Sequence, residues 1–381
     1  MTQRRIRAVF VRGGTSRALV FHHGDLPGDR AAWDPVFLAA LGSPDPNGRQ
    51  LDGLGGGVSS LSKVAIVGPP SRPDADVDYT FGQVEVSRPS VDYRGNCGNI
   101  SSAIGPFAID EGLVPARDPV TVVRIHNTNT RKLIHARVPV EGGAAAVRGN
   151  FALDGVPGTG ARIALDFLDP GGAVTGQLLP TGRPLDTLSV PDVGTIPASL
   201  VDATNPMVFV RAKDLGLEGA ERPEDLDGRR GLPERLEAIR AAAAIRMGLA
   251  RTPEDAARTS AAVPKIAVVA PPTGYRVLSG GAVEPHAVDL VARIVSMGKV
   301  HRAFALTGAM CLAVAARIPG TIPQEAAALA DASGDVRIGH PSGVLPVAAA
   351  VARAADGVPV AQTVTVYRTA RRLMEGFVLV P

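Results

Sequence analysis

Only five of the 40 basic residues are lysines: Lys63, Lys132, Lys213, Lys265 and Lys299. Guanidinium keeps its proton at any working pH, whereas an amine can give one up. In so Arg-rich a chain, each lysine is therefore a candidate for proton chemistry. Lys63 closes the run Asp52-Gly-Leu-Gly-Gly-Gly-Val-Ser-Ser-Leu-Ser-Lys63 and opens the apolar stretch Val64–Val67. Partial burial there would depress its pKa and suit it to act as a general base, although substrate carboxylates push the other way. Cys97 stands in Arg94-Gly95-Asn96-Cys97-Gly98-Asn99, directly before the apolar run Ile100–Ile109, which predicts a buried helix. A helix mouth keeps a thiol accessible, and its dipole favours the thiolate. An amine and a thiol on two sides of a ligand form an acid/base pair for moving a proton on carbon.

Other polar residues offer weaker chemistry. Lys299 and His301 precede a second glycine-containing loop, and His340-Pro341-Ser342-Gly343 forms a polar turn. Each could take a carboxylate, and each is equally acceptable as a surface or capping residue. His22 and His23 read as solvated turn residues, and His126 and His135 as strand-face or surface residues. Cys311, among Met310, Leu312 and Val314, reads as a core thiol. Helix N-termini behind glycines present unpaired N–H groups and partial positive charge, which suits carboxylates. No GxxxxGK[ST] occurs and no GxGxxG follows a strand, which disfavours a nucleotide ligand.

Short strands and tight turns must position these groups. Ile6–Val11 and Ala18–Phe21 read as strands around the sharp loop Arg12–Ser16, followed by a helix over Ala31–Leu41. Strands are predicted at Val64–Val67, Val77–Val86, Val120–Ile125, Lys132–Val140 and Arg162–Phe167. A Gly/Pro-rich stretch from Asp169 to Pro197 reads as an interdomain crossover. The design then restarts with a strand–turn–strand over Ser199–Val210, a helix over Arg235–Gly248, a strand at Lys265–Ala270, and a buried helix at Cys311–Ala316 behind the loop His301–Met310. Each half thus has a polar bend between strands and, far downstream, a glycine-containing loop that opens a buried helix. The repeat is architectural, with no residue-level repeat, and the halves are set at residues 1–190 and 191–381.

Composition bounds the rest. A chain of 381 residues with 43 Gly, 32 Pro and 45% hydrophobic residues suits two folded domains and excludes a disordered chain. Net charge is only +3, with scattered basic residues and 4% aromatics, which argues against nucleic acid. Two distant cysteines exclude a disulfide scaffold and a zinc ribbon, and without HExxH no metal site is expected. With no apolar run of about 18 residues and no apolar core near the N-terminus typical of a signal peptide, a cytoplasmic protein with no membrane partner is expected. The sequence is compatible with a homo-oligomer.

Taken together, the loops resemble the PrpF-like isomerases, which share the diaminopimelate-epimerase fold. The matching segments run almost end to end: Arg12-Gly-Gly-Thr-Ser16, Gly42-Ser-Pro-Asp-Pro46, Asp52–Lys63, Asp78-Tyr-Thr-Phe-Gly-Gln83, Gly95-Asn-Cys-Gly-Asn99, Phe167-Leu-Asp-Pro170, Arg246-Met-Gly248, Ser296-Met-Gly-Lys299, Ile318-Pro-Gly-Thr321 and Gly339-His-Pro-Ser-Gly343. The resemblance implies an α+β fold of two pseudo-symmetric domains, each a mostly antiparallel sheet wrapped round a central helix, with the last strand returning to the first domain. It implies a cofactor-free site in a cleft between them, acting on an unsaturated di- or tricarboxylate such as 2-methylaconitate, methylitaconate or 4-oxalomesaconate. It makes Lys63 and Cys97 the acid/base pair. Substrate-binding candidates within these loops are Thr15, Ser16, Gly56, Ser60, Gln83, Asn96, Gly98, Asn99, Lys299, His301, Thr307, Gly308, His340 and Ser342. Asp202-Ala-Thr-Asn-Pro206 and Asn127–Arg131 look less like the methylcitrate-cycle members and more like relatives whose substrates are methylitaconate-like or unassigned. One departure stands out: racemases and epimerases of this fold carry a second thiol at the second helix mouth, where this chain has Ala305-Leu306-Thr307-Gly308-Ala309. A symmetric two-thiol inversion is therefore not expected. The rival reading is a non-catalytic polycarboxylate-binding accessory protein of an aconitase-type dehydratase, which would accept Arg at position 63.

Overall fold

The computed structural model describes residues 3–381 apart from Arg94, Gly95, Asp192, 260–262, Met297 and 331–333. Runs of Val, Ile, Leu and Ala between turn residues form its strands, since β-branched side chains fit a half-buried pleated surface. Before Asp169 the long strands are β1 (Arg4–Gly13), β2 (Ser16–His22), β3 (Lys63–Gly68), β4 (Val77–Val84), β5 (Val120–Asn127), β6 (Lys132–Glu141) and β7 (Ile163–Leu168). They are followed by β8 (Asp186–Val190), β9 (Gly194–Ala203), β10 (Asn205–Arg211), β11 (Lys265–Ala270), β12 (Leu290–Ser296), β13 (Asp335–His340), β14 (Gly343–Arg353), β15 (Pro359–Arg368) and β16 (Ala370–Val380). Four helices matter here: α1 (Trp33–Leu41), α2 (Gly98–Asp110), α3 (Leu232–Arg246) and α4 (Leu306–Ala315).

The chain divides into two compact units, one of residues 1–168 with 367–381 and one of residues 169–366. In the first, the strand order is β16-β1-β2-β3-β4-β5-β6-β7. All neighbours are antiparallel except β2/β3 and β4/β5, which are parallel. In the second, the order is β8-β9-β10-β11-β12-β13-β14-β15, and the parallel pairs are β10/β11 and β12/β13. Strand for strand, the two units repeat one pattern. Parallel neighbours need a crossover connection, and the elements that bridge them correspond as well. Helix α1 joins β2 to β3 as α3 joins β10 to β11, and α2 joins β4 to β5 as α4 joins β12 to β13.

Helix α2 is apolar on nearly all sides, and such a helix must be enclosed. It packs against β1, β2, β3, β5, β6, β7 and β16, so the sheet curls round it. The opposite face, through Leu19, Phe21, Val64 and Ile66, packs on Trp33, Val36, Phe37 and Leu41 of α1. Glu111, just beyond α2, takes hydrogen bonds from Arg7 of β1 (2.8 Å), His22 of β2 (2.9 Å) and Arg372 of β16 (2.6 Å), which fixes the far end of the helix. In the second unit, α4 is buried from Gly308 to Ala315 against β9, β10, β13 and β14. Leu232, Leu236, Ile239 and Ala243 of α3 join Leu200, Val208, Ile266 and Val268 in that unit's other core.

Three sequence expectations need correcting. The division between units falls at Leu168/Asp169, not near residue 190, because β8 hydrogen-bonds to β9 and so belongs to the second unit. The supposed crossover therefore holds strand from Asp186 onward; its glycines and prolines masked a short hairpin. Helix α4 starts at Leu306, ahead of the expected Cys311, so Thr307 and Gly308 lie inside it. His22 is no solvated turn residue: besides its bond to Glu111, it lies 5.0 Å from the Phe107 ring.

Candidate active site

Lys63 is the first residue of β3 and opens the core segment of that strand, with 7% of its surface exposed. Its Nζ donates to Gln83 Oε1 across the antiparallel β3/β4 pair. The Gln83 amide is oriented by its own Nε2, which donates to the carbonyls of Ser59 (3.1 Å) and Ser62 (2.9 Å). Nζ also lies 5.2 Å from the centre of the Phe81 ring. Burial holds the Lys63 amine below the ordinary lysine range, while Cys97 nearby pulls in the opposite direction.

The loop leading to Lys63 is shaped by Gln50, which is 1% exposed. Its Nε2 donates to Ser43 Oγ (2.8 Å) and Ser62 Oγ (2.7 Å), and its Oε1 accepts from the Gly57 N–H (3.0 Å). Gly56 is a packing position against Leu61 and Arg17, and Ser60 lies in the single turn Ser59–Leu61.

Cys97 is the cap of α2, with extended backbone at φ −113° and ψ 101°, and it is half-buried. Its carbonyl accepts from the Ser101 N–H (2.9 Å) and Ser101 Oγ (3.0 Å), so its backbone starts the helix without the thiol. Gly98 begins the buried helix. Asn96 Oδ1 accepts from Ser101 Oγ (3.2 Å) and Asn127 Nδ2 (3.4 Å). Arg94 and Gly95 of the same motif lie outside the described residues.

Asn99 links this helix mouth to the β1/β2 turn by donating from Nδ2 to Thr15 Oγ1 (3.0 Å). The turn fits because Gly13 and Gly14 lack side chains. A Cβ on Gly13 would lie 2.6 Å from the Asn99 carbonyl, and one on Gly14, at φ +51°, would lie 2.3 Å from Asn99 Oδ1. Ser16 is buried at the start of β2.

Two further groups reach Cys97 that sequence reasoning did not find. Arg368, 6% exposed, donates from Nε to Asn99 Oδ1 (3.0 Å) and from Nη1 to the Tyr367 carbonyl (2.7 Å). Burial pushes its guanidinium down to about 10, and Cys97 partly offsets this. Tyr79 is fully buried; burial, reinforced by Cys97, pushes its phenol well above the usual range. One arginine among so many gives no signal in sequence. The only hint at Tyr79 is that it lies within the segment Asp78–Gln83.

The remaining candidates belong to the second unit. Thr307 accepts through its carbonyl from Thr204 Oγ1 (2.9 Å), tying the β9/β10 turn to α4 as Asn99 ties the β1/β2 turn to α2. Gly308 is a close-packing position, since a Cβ there would lie 2.6 Å from Ile294 Cδ1. Lys299 is exposed and faces Ser296 in a short β ladder; Met297 of that motif lies outside the described residues. His301 Nδ1 accepts from the Ala303 N–H (3.0 Å), and His340 Nδ1 from the Ser342 N–H (3.2 Å), which leaves each ring's Nε2 as the donor. Ser342 Oγ donates to the Arg302 carbonyl, joining the two turns. Burial lowers both imidazoles, His340 to about 4 with help from Arg293 and His301. Cys311 is fully buried, with Sγ 3.4 Å from the Val201 carbonyl, and burial pushes its thiol far up. Among the described residues, no cluster of three His, Cys, Asp or Glu could hold a metal ion, and no helix is long and apolar enough to cross a membrane.

Comparison with known proteins covers the whole chain. The family described as PrpF protein matches residues 3–381. A 3-methylitaconate isomerase of Eubacterium barkeri is 47% identical over 99% of this chain and 98% of its own. A 2-methyl-aconitate isomerase of Shewanella oneidensis is 41% identical over 100% and 98%. The crystal structure of a methylitaconate-delta-isomerase, also 47% identical, superposes with a TM-score of 0.93 over 100% of this chain and 96% of that one. A hydroxyproline epimerase of Agrobacterium vitis, at 14% identity, has a TM-score of 0.51 over 99% and 93% and shares the fold alone.

Proposed function

Because the chain belongs to the PrpF protein family, we propose that it is an isomerase that moves a proton on an unsaturated di- or tricarboxylate, with Lys63 and Cys97 as its acid/base pair. The compounds named for its relatives, methylitaconate and methylaconitate, are both enoic polycarboxylates. The observation that carries the assignment of residues is the buried Lys63 amine, lowered by desolvation and within electrostatic reach of a half-buried thiol at a helix mouth.

An allylic C–H next to a conjugated carboxylate is a weak carbon acid. Lys63, neutral more often than a solvated lysine, takes that proton. The electron pair left behind delocalises through the double bond onto carboxylate oxygens. The substrate is thus its own electron sink, and the reaction is read as cofactor-free. Unpaired N–H groups at the α2 mouth suit the growing oxyanion charge. Cys97 returns a proton from its thiol to the far carbon and so moves the double bond. Return to the original carbon after bond rotation gives cis–trans isomerisation instead. Transfer of the proton from the Lys63 ammonium to the Cys97 thiolate resets the pair.

The test is proton NMR in D₂O with cis- and trans-aconitate, 2-methylaconitate, methylitaconate and oxalomesaconate, using the native protein beside Lys63→Ala. Isomerisation, or deuterium entering an allylic position, should occur with the native protein and vanish in the variant. If the folded native protein handles none of these acids, the carboxylate-binding accessory reading replaces this one.

A further inference from the structure

Several buried charges elsewhere in this protein have partners of opposite sign. Arg240 pairs with Glu237 (2.7 Å), and Asp289 and Glu111 are buried against Arg337 and Arg372 (2.6 Å each). Such pairing is the rule, since an uncompensated buried charge is costly. Arg293, 1% exposed, departs from it alone, giving its fork to the carbonyls of Glu221 (2.7 Å) and Ala292 (3.0 Å) with the Glu221 charge within electrostatic reach. Around Cys97 two cations depart from it together. Lys63 and Arg368 are 7% and 6% exposed, and the side-chain oxygen each one meets belongs to a neutral amide, Gln83 or Asn99. Among the described residues, neither has a carboxylate within ion-pair range. Cys97, which interacts electrostatically with both, is the acidic group they share. Even as a thiolate it leaves the cluster one positive charge in excess.

The Arg368 fork is also only partly used. Of the five N–H donors of a guanidinium, Nε is placed on Asn99 and one N–H of Nη1 on Tyr367, while Nη2 bonds to no described residue. Its Cδ lies over the β1/β2 turn, where a Cβ on Gly14 would be 3.1 Å away. Asn99 is itself held by Thr15, so the guanidinium plane is fixed before any ligand arrives. A fixed fork with excess positive charge matches a carboxylate, which arginine takes in two parallel hydrogen bonds.

We propose that Arg368 binds one carboxylate of the substrate beside Cys97, and that this anion supplies the charge the cluster lacks. The proposal rests on the polycarboxylate reading above and adds the residue that recognises the acid. It makes Arg368 a specificity determinant: an analogue without that carboxylate leaves a buried guanidinium unmatched.

The experiment compares native protein, Arg368→Met and Arg368→Lys on methylitaconate and on its two monomethyl esters. Thermal melting first confirms that each variant is folded, with Arg368→Lys retaining the charge if Arg368→Met does not fold. Arg368→Met should lower kcat/KM for the diacid by about 100-fold, mainly through KM, with partial recovery in Arg368→Lys. One of the two esters should cost the native protein a similar factor yet cost Arg368→Met little, because the carboxylate and the guanidinium are then coupled. Equal losses on the diacid and both esters, or a fall in kcat with KM unchanged, would overturn the proposal and leave Arg368 as a support for Asn99. Titration calorimetry with 2-methylsuccinate, which has no double bond to move, separates this from failure of the isomerase reading. Native affinity that drops at least tenfold in Arg368→Met sustains the carboxylate site even without turnover, and unchanged affinity removes it.

Discussion

The two units build the same frame and furnish it differently. Lys63 is the first residue of β3, and Lys265 is the first residue of β11, the equivalent strand. The strands read Lys-Val-Ala-Ile-Val-Gly and Lys-Ile-Ala-Val-Val-Ala, and burial lowers both amines. The helix mouths diverge. Cys97 caps α2, whereas Ala305 caps α4, and the thiol nearest that second mouth, Cys311, is sunk in the core. The lysine position is thus present twice and the amine–thiol pair once. A reaction that inverts a stereocentre needs acid/base groups on two faces, but moving a double bond requires no such symmetry. The single pair at the β3/α2 end suits the second task.

The sharpest way to break this comparison is to remove each lysine in turn. Lys63→Ala should lower kcat by about a thousandfold, in the range expected for losing a general acid or base. Lys265→Met should cost less than about tenfold on the same scale. Equal losses would mean that both halves share the chemistry. Cys97→Ala should resemble Lys63→Ala, and adding Ala305→Cys to it should restore nothing. Because burial lowers the Lys63 amine, the ascending limb of the native pH–rate profile should lie below the ordinary lysine value of 10.5. Activity should rise with pH as the amine loses its proton.

A second contrast concerns the turns that meet the helices. Gly14, at φ +51° and pressed on Asn99, has its counterpart in Thr204, at φ +61°, whose hydroxyl bonds to the Thr307 carbonyl. Ala at position 14 would add left-handed backbone strain of about 1–2 kcal/mol to a direct clash with the amide that fixes Arg368. Gly14→Ala should therefore lower the melting temperature by several degrees and kcat/KM by tenfold or more. Thr204→Ala, which loses one hydrogen bond worth about 1 kcal/mol, should leave turnover nearly intact.

Much of this frame was legible in the sequence because local pattern decided it. The strand Lys265–Ala270 and the turn at Gly13–Gly14 follow from a short apolar run and from glycines. Lys63 stood out through the scarcity of lysine, and Cys97 through its place before an apolar helix. What stayed hidden depends on distant pairing. Arg368 reaches Asn99 across most of the chain, and among 34 other arginines and five lysines nothing local marks it. The strand Asp186–Val190 was lost among glycines and prolines because only its pairing with β9 makes it a strand. His22 was misjudged for the same reason: its partner, Glu111, lies at the end of another element.

The histidines of the second unit give a further pH test. The His340 imidazole, 4% exposed and beside Arg293, is pushed down to about 4 from 6.5. The unfolded chain then binds more protons between those values, so stability falls as pH drops from about 6.5 towards 4. At about 1.4 kcal/mol per pH unit, the loss is about 3 kcal/mol at most. His340→Gln should flatten this slope in urea titrations run across the same pH range. A slope unchanged by the substitution would assign the acid sensitivity to other groups.

The smallest expected effect closes the comparison between the thiols. Cys311 has no exposed surface and donates to the Val201 carbonyl, and burial keeps its thiol protonated far above neutral pH. Thiolate is the form that alkylates. Iodoacetamide at neutral pH should therefore label Cys97 and leave Cys311 untouched in the folded protein, with inactivation tracking the first label. Cys311→Ala removes one sulfur from a packed helix and should cost about 1 kcal/mol of stability with turnover within twofold of native. A larger fall in turnover, in a protein still folded, would show that the packing of α4 reaches the chemistry and that the second unit does more than repeat the frame.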